Sequence, residues 1–535
     1  MPDRFTEFLE KHVNEVRPLA KEAALAWWEA NVTGSEEAFE RGASLHAQLM
    51  KIYAREDEYR LLQSIPNDSL SNPLLRRQHK LLLDEYRGHQ MSEKVIDEIV
   101  QREKEIEKEY NTYRALFRGE RVSDNTLREV LQKSDDSDER REAWEASKQI
   151  GERVAEAVRE LVRIRNREAQ RLGFRDYYAM QLELQELDEQ RLFALLEELH
   201  QLSNEPFRRY KEKLDRRLAE RFGVAVEDLR PWHYTDPFFQ IPPPGEVDLN
   251  PLFEDKDIEA IARAFYADVG LSVESILERS DLYEKEGKSQ HAFCIDIDRE
   301  GDVRILCNLR PNERWMGTML HELGHAVYDY YIDRSLPYLL RTPAHTLSTE
   351  AIAMLFGRMH RNAEWLKRYV GIADEQAQAV ARPAIEEMQA SLIVFTRWVL
   401  VMTHFERAMY ADPDSDLNSL WWQLVERYQW LRKPEGRNAP DWAAKIHIAL
   451  APVYYHNYIL GEMEASQLVN VLRTRVLSGE PADAIVHSPK VGTFLRQKVF
   501  STGASVPWEE ALEFATGDKL NPAYFVAQME AESPI

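Results

Sequence analysis

The chain has 535 residues, of which 44% are hydrophobic and 30% are charged, and its formal net charge is −23. This composition is typical of a soluble globular protein with an extensive core. The excess of 92 acidic over 69 basic residues argues against nucleic acid and anionic membranes as partners, because both attract basic surfaces. Sparse glycine and proline, with recurrent Glu, Arg, Leu and Ala, favour a mostly helical fold.

Targeting signals and cysteines bear on the compartment. Residues 1–10 lack the apolar segment of a secretory signal, and no apolar run approaches the roughly 18 residues that span a bilayer. We therefore expect a cytoplasmic protein with no membrane association. Cys294 and Cys307 are too few for a disulfide framework. They flank a predicted turn and could lie opposite each other, but without an export signal we expect free thiols.

The first part of the chain reads as helical. Apolar residues at helical spacing dominate residues 4–225. Within that region, residues 138–172 and 188–221 predict two long helices. Gly173 and Gly223 follow them, and glycine is the residue that most often ends a helix.

An irregular passage follows at residues 231–251, which contain six prolines. Proline can neither continue a helix nor donate to a β-ladder, so this passage predicts an ordered loop or a crossover. No clear linker divides the chain, and we expect a single domain over residues 1–535. A subdivision into two lobes near residues 228–252 stays open.

The clearest strand signal lies in residues 291–297 and 303–307, where apolar residues alternate around a glycine-containing turn. This β-hairpin directly precedes a proline-free helical stretch over residues 313–332. A strand edge beside a catalytic site can hold an extended peptide by backbone pairing. A small structural hairpin fits the pattern equally well.

The most informative run is His321-Glu322-Leu-Gly-His325. Histidines four residues apart lie on one helical face, so both imidazoles can reach one metal ion, with Glu322 beside it as a base. Catalytic zinc takes three protein ligands, and Glu350 can supply the third from a second helix. Two histidines on an ordinary helix remain the plain alternative. A purely structural zinc fits poorly, because such sites usually close with four ligands rich in cysteine.

Several segments together resemble the M2 zinc metallopeptidases, the angiotensin-converting-enzyme family of peptidyl-dipeptidases. The resemblance is strong over residues 291–352, good over residues 445–462 and faint elsewhere between about residues 20 and 475. Its motifs are His291-Ala292, the His321–His325 run, Glu350-Ala-Ile352, Trp421-Trp422, Lys445-Ile-His447-Ile448, Tyr455-His-Asn-Tyr458 and Trp27-Trp28-Glu-Ala-Asn-Val-Thr33.

The resemblance implies an all-α fold, a mainly helical ellipsoid with a deep central channel and a small β-hairpin beside the metal site. It implies one zinc ion bound by His321, His325 and Glu350, and it makes Glu322 the general base and later the acid. The substrates implied are oligopeptides, and we expect a monomer or a weak homodimer.

Further roles follow from the same resemblance. It places His291 and Ala292 along the substrate backbone. It assigns the C-terminal carboxylate of the substrate to Lys445 and Tyr455. It assigns support of the tetrahedral intermediate to His447 and Tyr458. A lysine as a point charge and a tyrosine as a neutral donor are chemically suited to these tasks.

The sequence departs from the family pattern at four places. Asn457 replaces an arginine, so we expect no chloride activation there. Met354 replaces an aspartate that would orient a ligand histidine, so a partner must come from elsewhere. Tyr234 stands where we place the glutamine of the carboxylate clamp. One extra residue makes Tyr454 compete with Tyr455 for the clamp.

The sequence thus predicts a zinc-dependent peptidase that releases C-terminal dipeptides from short peptides. An endo-oligopeptidase similar to the M3 family is the alternative within the same chemistry, because that family shares the HExxH run and a tyrosine pair. An inactive relative that binds zinc or peptides is the alternative outside it.

Overall fold

A computed structural model describes residues 2–245 and 247–531 and confirms the expected all-α fold. Within these residues the strands form two small two-stranded sheets. The elements of the first part are α1 (Pro2–Thr33), α2 (Glu36–Tyr53), α3 (Glu56–Gln63), α4 (Pro73–Gly88), α5 (Glu93–Thr112), β1 (Ala115–Phe117), β2 (Glu120–Val122), α6 (Asp124–Lys133), α7 (Ser137–Arg171), α8 (Tyr177–Leu184) and α9 (Glu189–Phe222).

The second part begins after the proline-rich passage. Its elements are α10 (Ile258–Asp268), α11 (Glu274–Leu277), β3 (Phe293–Asp296), β4 (Val303–Leu306), α12 (Glu313–Tyr331), α13 (Thr346–Gly357), α14 (Ala363–Trp365), α15 (Asp374–Ala411), α16 (Leu417–Gln429), α17 (His447–Leu450), α18 (His456–Val471), α19 (Pro489–Lys498), α20 (Trp508–Thr516) and α21 (Pro522–Gln528). Short 3₁₀ and π segments join several of them.

The two long predicted helices are confirmed as α7 and α9. Their first turns are capped by Asp136 and Asp188, whose carboxylates accept hydrogen bonds from backbone N–H groups. Gly223 ends α9 with a left-handed φ of 63°. The helical prediction over this region overlooked one feature, the short antiparallel pair of β1 and β2.

The described residues of the proline-rich passage form a loop with short 3₁₀ turns, held near residues 237–239 by side chains of neighbouring helices. The indole of Trp144 donates to the carbonyl of Pro237 at 2.9 Å. The amide of Gln429 donates to the carbonyls of Phe238 and Phe239, each at 2.9 Å. Phe239 has a positive φ of 49°, so the chain turns sharply just before Gln240.

Buried apolar side chains form two large clusters that meet along α15 and α18. One cluster is built mainly on α7, α9, α15 and α16, and the other on α10, α12 and α13. Both α15 and α18 contribute side chains to the two clusters. The division of the domain into two lobes nevertheless stays a prediction.

α15 is long enough and, on average, apolar enough to cross a membrane, although Arg397 interrupts its apolar run. However, 72% of its most apolar window is buried inside the protein. The apolar side chains of such a helix are buried against other helices of the protein. α15 is therefore a core helix in this structure.

The predicted β-hairpin is confirmed as β3 and β4, which pair antiparallel and pack against α12. Its register pairs Cys294 with Ile305, so Cys294 does not lie directly opposite Cys307. Both cysteines are free, as expected.

Glycines allow three helices to approach one another closely around the predicted site. A Cβ on Gly324 of α12 would lie 2.6 Å from Ala353 Cα and 3.0 Å from the carbonyl oxygen of Ile352, both on α13. A Cβ on Gly461 of α18 would lie 3.2 Å from Glu350 Cβ. The backbones of α12, α13 and α18 are therefore nearer to one another than side chains at these positions would permit.

We predict that Gly324→Ala lowers the free energy of unfolding by about 1–3 kcal/mol, because the new methyl group overlaps the α13 backbone. Chemical denaturation of both proteins measures this. Gly42→Ala is the matched control. Gly42 lies inside α2, and a Cβ added there would meet no atom of the neighbouring α1 nearer than 3.6 Å. That control should be neutral or stabilising by up to about 1 kcal/mol. Equal stabilities of the two variants would contradict the close approach.

Candidate active site

α12 presents the two predicted histidine ligands one turn apart. The helix begins where the side chain of Asn312 accepts a hydrogen bond from the backbone N–H of Trp315. Proline is absent from the helix, so the turn from His321 to His325 is regular. Their ring centroids lie 4.9 Å apart. α13 then supplies Glu350 from the neighbouring helix.

The three predicted ligands converge on one point. The Nε2 atoms of His321 and His325 each lie 3.9 Å from Oε2 of Glu350. Burial lowers the pKa of His321 to about 4 and that of His325 to about 3, so both imidazoles are neutral and offer a lone pair. Two imidazole nitrogens and one carboxylate oxygen are a donor set of catalytic zinc, with a fourth position left for water. The residues present therefore fit a zinc ion.

Two carboxyl groups in the site lack a cation among the described residues. Burial raises the pKa of Glu322 to about 8, and the charge of Glu350 adds to the effect. Burial, with Glu462, raises the pKa of Glu350 to about 7. A divalent cation would lower both values by favouring the charged forms. The electrostatics of the site are therefore those of a cation-binding centre.

A hydrogen-bonding partner orients His325 in place of the aspartate that Met354 replaces. The Nδ1 atom of His325 lies 2.8 Å from the hydroxyl oxygen of Thr349. Because Nε2 faces the other ligands, Nδ1 carries the proton and donates it to that oxygen. For His321, a hydrogen bond with the backbone of Ala353 opposes the lowering of its pKa. No sequence motif marks Thr349, although its place directly before Glu350 puts it on the same helix.

Two cavities open on either side of the metal ligands. The larger, of about 890 Å³, lies against β3 and the C-terminal half of α12, and Ala292 and Glu350 line it. The other, of about 570 Å³, lies between the start of α12 and α15. His321 and Glu322 line both cavities. Glu322 therefore faces the space in which a substrate can meet the metal site.

Lys445 and His447 line a third cavity of about 320 Å³. The ammonium of Lys445 donates a hydrogen bond to Oε1 of Gln240 at 2.6 Å and lies 5.8 Å from the ring of Tyr455. Burial lowers the pKa of Lys445 to about 8. Gln240 belongs to the proline-rich loop and was missed by sequence reasoning, because only the turn at Phe239 brings it to Lys445.

Tyr234, by contrast, is not beside Lys445, and the expectation that it replaces the glutamine was wrong. Its buried hydroxyl donates to Asp215 at 2.8 Å and accepts from the ammonium of Lys211 at 2.7 Å. Gln240, and not Tyr234, is the residue that contacts Lys445. Because this loop has no regular periodicity, its sequence did not indicate which of its residues would reach Lys445.

The tyrosines divide between the two ends of the site. Tyr455 lies near Lys445, its hydroxyl accepting a hydrogen bond from the indole of Trp398 at 2.7 Å. Tyr454 instead lines the large cavity with the metal ligands. Tyr458 lies between them, with ring centroids 5.3 Å from Tyr454 and 5.4 Å from Tyr455. Of the two alternatives for the clamp, the geometry favours Tyr455.

Val453 sets the direction of these tyrosines. It has a φ of 55°, a left-handed conformation that is strained for a β-branched residue. Its N–H donates to Glu406 at 2.7 Å, and its carbonyl accepts from the amide of Gln185 at 3.1 Å. These two hydrogen bonds hold the strained turn in place. The turn lies directly before Tyr454 and Tyr455, the two tyrosines that the sequence left as alternatives for the clamp.

The remaining predicted residues are placed as follows. His447 packs against Tyr455 with ring centroids 5.4 Å apart, and burial lowers its pKa to about 4. Ala292 lines the large cavity, whereas the side chain of His291 is exposed and does not contribute to that lining. The buried Asn457 donates to the amide oxygen of Gln185 at 3.1 Å and also lines the cavity.

We predict that Thr349→Val lowers the affinity for zinc about tenfold, because His325 loses the hydrogen bond that orients its ring. Competition with a chelator measures the affinity. Thr346→Val is the matched control: Thr346 lines the same cavity from the start of α13 but has no hydrogen bond to a ligand histidine. An unchanged affinity in Thr349→Val would contradict the assigned role.

Comparison with known proteins gives a family and several distant relatives. The M2 peptidase family model, described as angiotensin-converting enzyme, matches residues 3–213 and 250–527. Angiotensin-converting enzyme of Haematobia irritans exigua is 26% identical over 276 residues, 48% of this chain and 43% of that protein. Angiotensin-converting enzyme of Rattus norvegicus is 27% identical over 293 residues, 51% of this chain and 22% of that protein.

Carboxypeptidase 1 of Bacillus subtilis is also similar, with 25% identity over 264 residues, 44% of this chain and 51% of that protein. The chain thus spans about half, or less, of the length of these curated relatives. The family model, in contrast, covers most of the chain on both sides of the proline-rich loop. On that match, and with the resemblance of its motifs, the chain belongs to the M2 family of peptidases.

Proposed function

We propose that this protein is a zinc-dependent peptidase that removes dipeptides from the C-terminus of oligopeptides. The observation that carries the proposal is the convergence of His321, His325 and Glu350 beside the buried carboxyl of Glu322. Family membership supports a metallopeptidase, and the three relatives described above are two angiotensin-converting enzymes and a carboxypeptidase 1.

Zinc bound to the three ligands would supply a Lewis acid that polarises the scissile carbonyl and acidifies the attacking water. Glu322 accepts the proton that this water loses as its oxygen bonds to the carbonyl carbon. The same carboxyl then gives the proton to the nitrogen of the leaving amine as the C–N bond breaks. Glu322 is suited to both steps, because it faces both cavities beside the ligands.

Tyr458 supplies a neutral donor for the negative charge that develops on the carbonyl oxygen. Burial, with the charge of Glu350, raises the pKa of its hydroxyl, so the group keeps its proton at neutral pH. His447 is neutral and packs on the neighbouring Tyr455. It supports the intermediate from the side of the site that holds Lys445.

Lys445 and Gln240 are suited to hold the terminal carboxylate of the substrate. Lys445 lines a confined cavity and donates a hydrogen bond to the side-chain oxygen of Gln240, and Tyr455 lies beside the ammonium. The ammonium is largely protonated at pH 7, and its attraction for a carboxylate is lost as the pH rises through its pKa of about 8. Anchoring the C-terminus at a fixed distance from the ligands decides which peptide bond is cut.

An endo-oligopeptidase is the competing function, since the same hydrolytic residues cut internal bonds if no terminus is anchored. The pairing of Lys445 with Gln240 favours release from the C-terminus. An inactive, peptide-binding relative is disfavoured because the ligands and Glu322 are all in place.

The test is mass spectrometry of products from a decapeptide with a blocked N-terminus, offered with a free or an amidated C-terminus. We predict a ladder that loses two residues at a time from the free acid. The amide should react about 10–100-fold more slowly, because it lacks the charge that Lys445 recognises. Lys445→Gln should abolish this difference.

Lys285→Gln is the control, because Lys285 is exposed and pairs with Asp281 away from the site. It should cut the free acid in preference to the amide, as the unaltered protein does. Internal fragments at equal rates from both peptides would instead establish the endo-oligopeptidase. An intact decapeptide would favour a binding protein.

A further inference from the structure

Asp329 is an acidic residue of the large cavity that the proposed mechanism does not use. It lies on α12 one helical turn beyond His325, and its side chain contributes to the cavity wall together with Cys294 of β3. Its carboxylate accepts only a weak hydrogen bond, from the thiol of Cys294 at 3.9 Å, among the residues that the structure describes. Asp329 therefore faces the substrate space without a cationic partner.

The surroundings of Asp329 make this lack of a partner costly. Burial, followed by the charge of Asp296, raises the pKa of Asp329 to about 8. Arg299 is near enough to oppose that effect, but its guanidinium lies over the ring of Tyr338 at 5.0 Å. A poorly solvated carboxyl without a bonded cation destabilises the folded protein. A contribution to the stability of the folded protein therefore does not explain why an aspartate stands at position 329.

Three other poorly exposed acids, outside the cluster of Glu322 and the predicted metal ligands, do have hydrogen-bond partners. Glu186 lines the same cavity, and its carboxylate receives two hydrogen bonds from Arg77. Glu406 accepts the backbone N–H of Val453, and Glu464 accepts the hydroxyl of Ser348. Asp329 differs from these in facing the cavity with a thiol as its bonded neighbour.

The charged side chains of the cavity wall reinforce this difference. The acidic residues in the lining are Glu186, Glu322, Asp329 and Glu350, whereas lysine and arginine are absent from it in the described part of the chain. Zinc would compensate the charge beside Glu322 and Glu350 when bound, and Arg77 compensates Glu186. Asp329 has no such compensation among the described residues, and a cationic group of a ligand would favour its charged form.

The position of Asp329 indicates which part of a peptide would reach it. Lys445 lies in a different cavity, and no residue lines both that cavity and the one with Asp329. If Lys445 holds the C-terminus, the part of the peptide on the amino-terminal side of the scissile bond extends along the wall formed by Ala292 and Cys294. Groups on the amino-terminal side of the scissile bond are the ones that meet Asp329.

We propose that Asp329 determines specificity by binding an ammonium or guanidinium group of the substrate on the amino-terminal side of the cleaved bond. This inference rests on the proposed peptidase function. The substrates it selects are short peptides that carry a lysine or arginine side chain near the cleaved bond, or whose free α-amine reaches the same place. Either cationic group, a side chain or an α-amine, can donate to Asp329 the charge-assisted hydrogen bond that the Cys294 thiol cannot supply.

The test compares kcat/KM for N-acetylated hexapeptides that carry one lysine at successive positions before the cleaved bond. Each is matched by the same peptide with a neutral acetyl-lysine. At one position we expect lysine to be preferred about tenfold, mainly through KM, which corresponds to one favourable charge pair. A lysine-free peptide with a free α-amine, compared with its acetylated form, tests the second source.

At the preferred position, Asp329→Asn should reduce the ratio of kcat/KM between the lysine and acetyl-lysine peptides to near one. The amide keeps the shape of the side chain and loses its charge. Asp333→Asn is the matched control. Asp333 lies just beyond α12, is exposed, and accepts the backbone N–H of Ser335. It should keep the preference of the unaltered protein. Thermal unfolding should give an unchanged or raised Tm for Asp329→Asn, whereas a structural role would lower it.

Ratios near one for every lysine position and for the free α-amine would overturn the proposal. A preference that persists in Asp329→Asn would overturn it as well. If no peptide is hydrolysed, the proposed function fails, and calorimetric binding of the lysine and acetyl-lysine peptides to the zinc-loaded protein decides on Asp329. Equal binding of both peptides would then contradict its role.

Discussion

The close packing of α12 against α13 is the constraint on which the site depends. Gly324 lets the two backbones approach, so that Glu350 of one helix reaches the two histidines of the other. Gly461 lets α18 approach α13 at Glu350, and Tyr458 of α18 is near enough for the charge of Glu350 to raise the pKa of its hydroxyl. A metal ion demands ligand positions accurate to a fraction of an ångström, and packed helices provide this accuracy better than loops do.

Burial then gives the residues of the site their chemistry. It keeps the histidines neutral, so that they can bind a metal, and it destabilises the charged forms of Glu322 and Glu350 until a cation arrives. The cost of these unsolvated carboxyls is compensated when zinc binds, which links the stability of the site to its occupancy. Asp329 is likewise a carboxyl without a cationic partner among the described residues, and a cationic group of the substrate would compensate it.

Sequence reasoning was most successful where function depends on local spacing. The ligand pair on α12 follows from a four-residue interval, and the all-α fold follows from long periodic stretches. It was less successful for contacts between distant segments. Gln240 reaches Lys445 only through a turn with an unusual φ at Phe239, and Tyr234 was placed wrongly for the same reason. Thr349 has no motif of its own, since its role follows from the direction in which His325 points.

The most direct test of this account is to replace Glu322 by Gln and to measure both zinc content and peptide hydrolysis. The account predicts one zinc ion per chain in both proteins, and a loss of hydrolysis of at least about 1,000-fold in the variant, because the amide cannot accept the proton of the attacking water. A zinc-loaded Glu322→Gln protein that hydrolyses peptides at the original rate would contradict it.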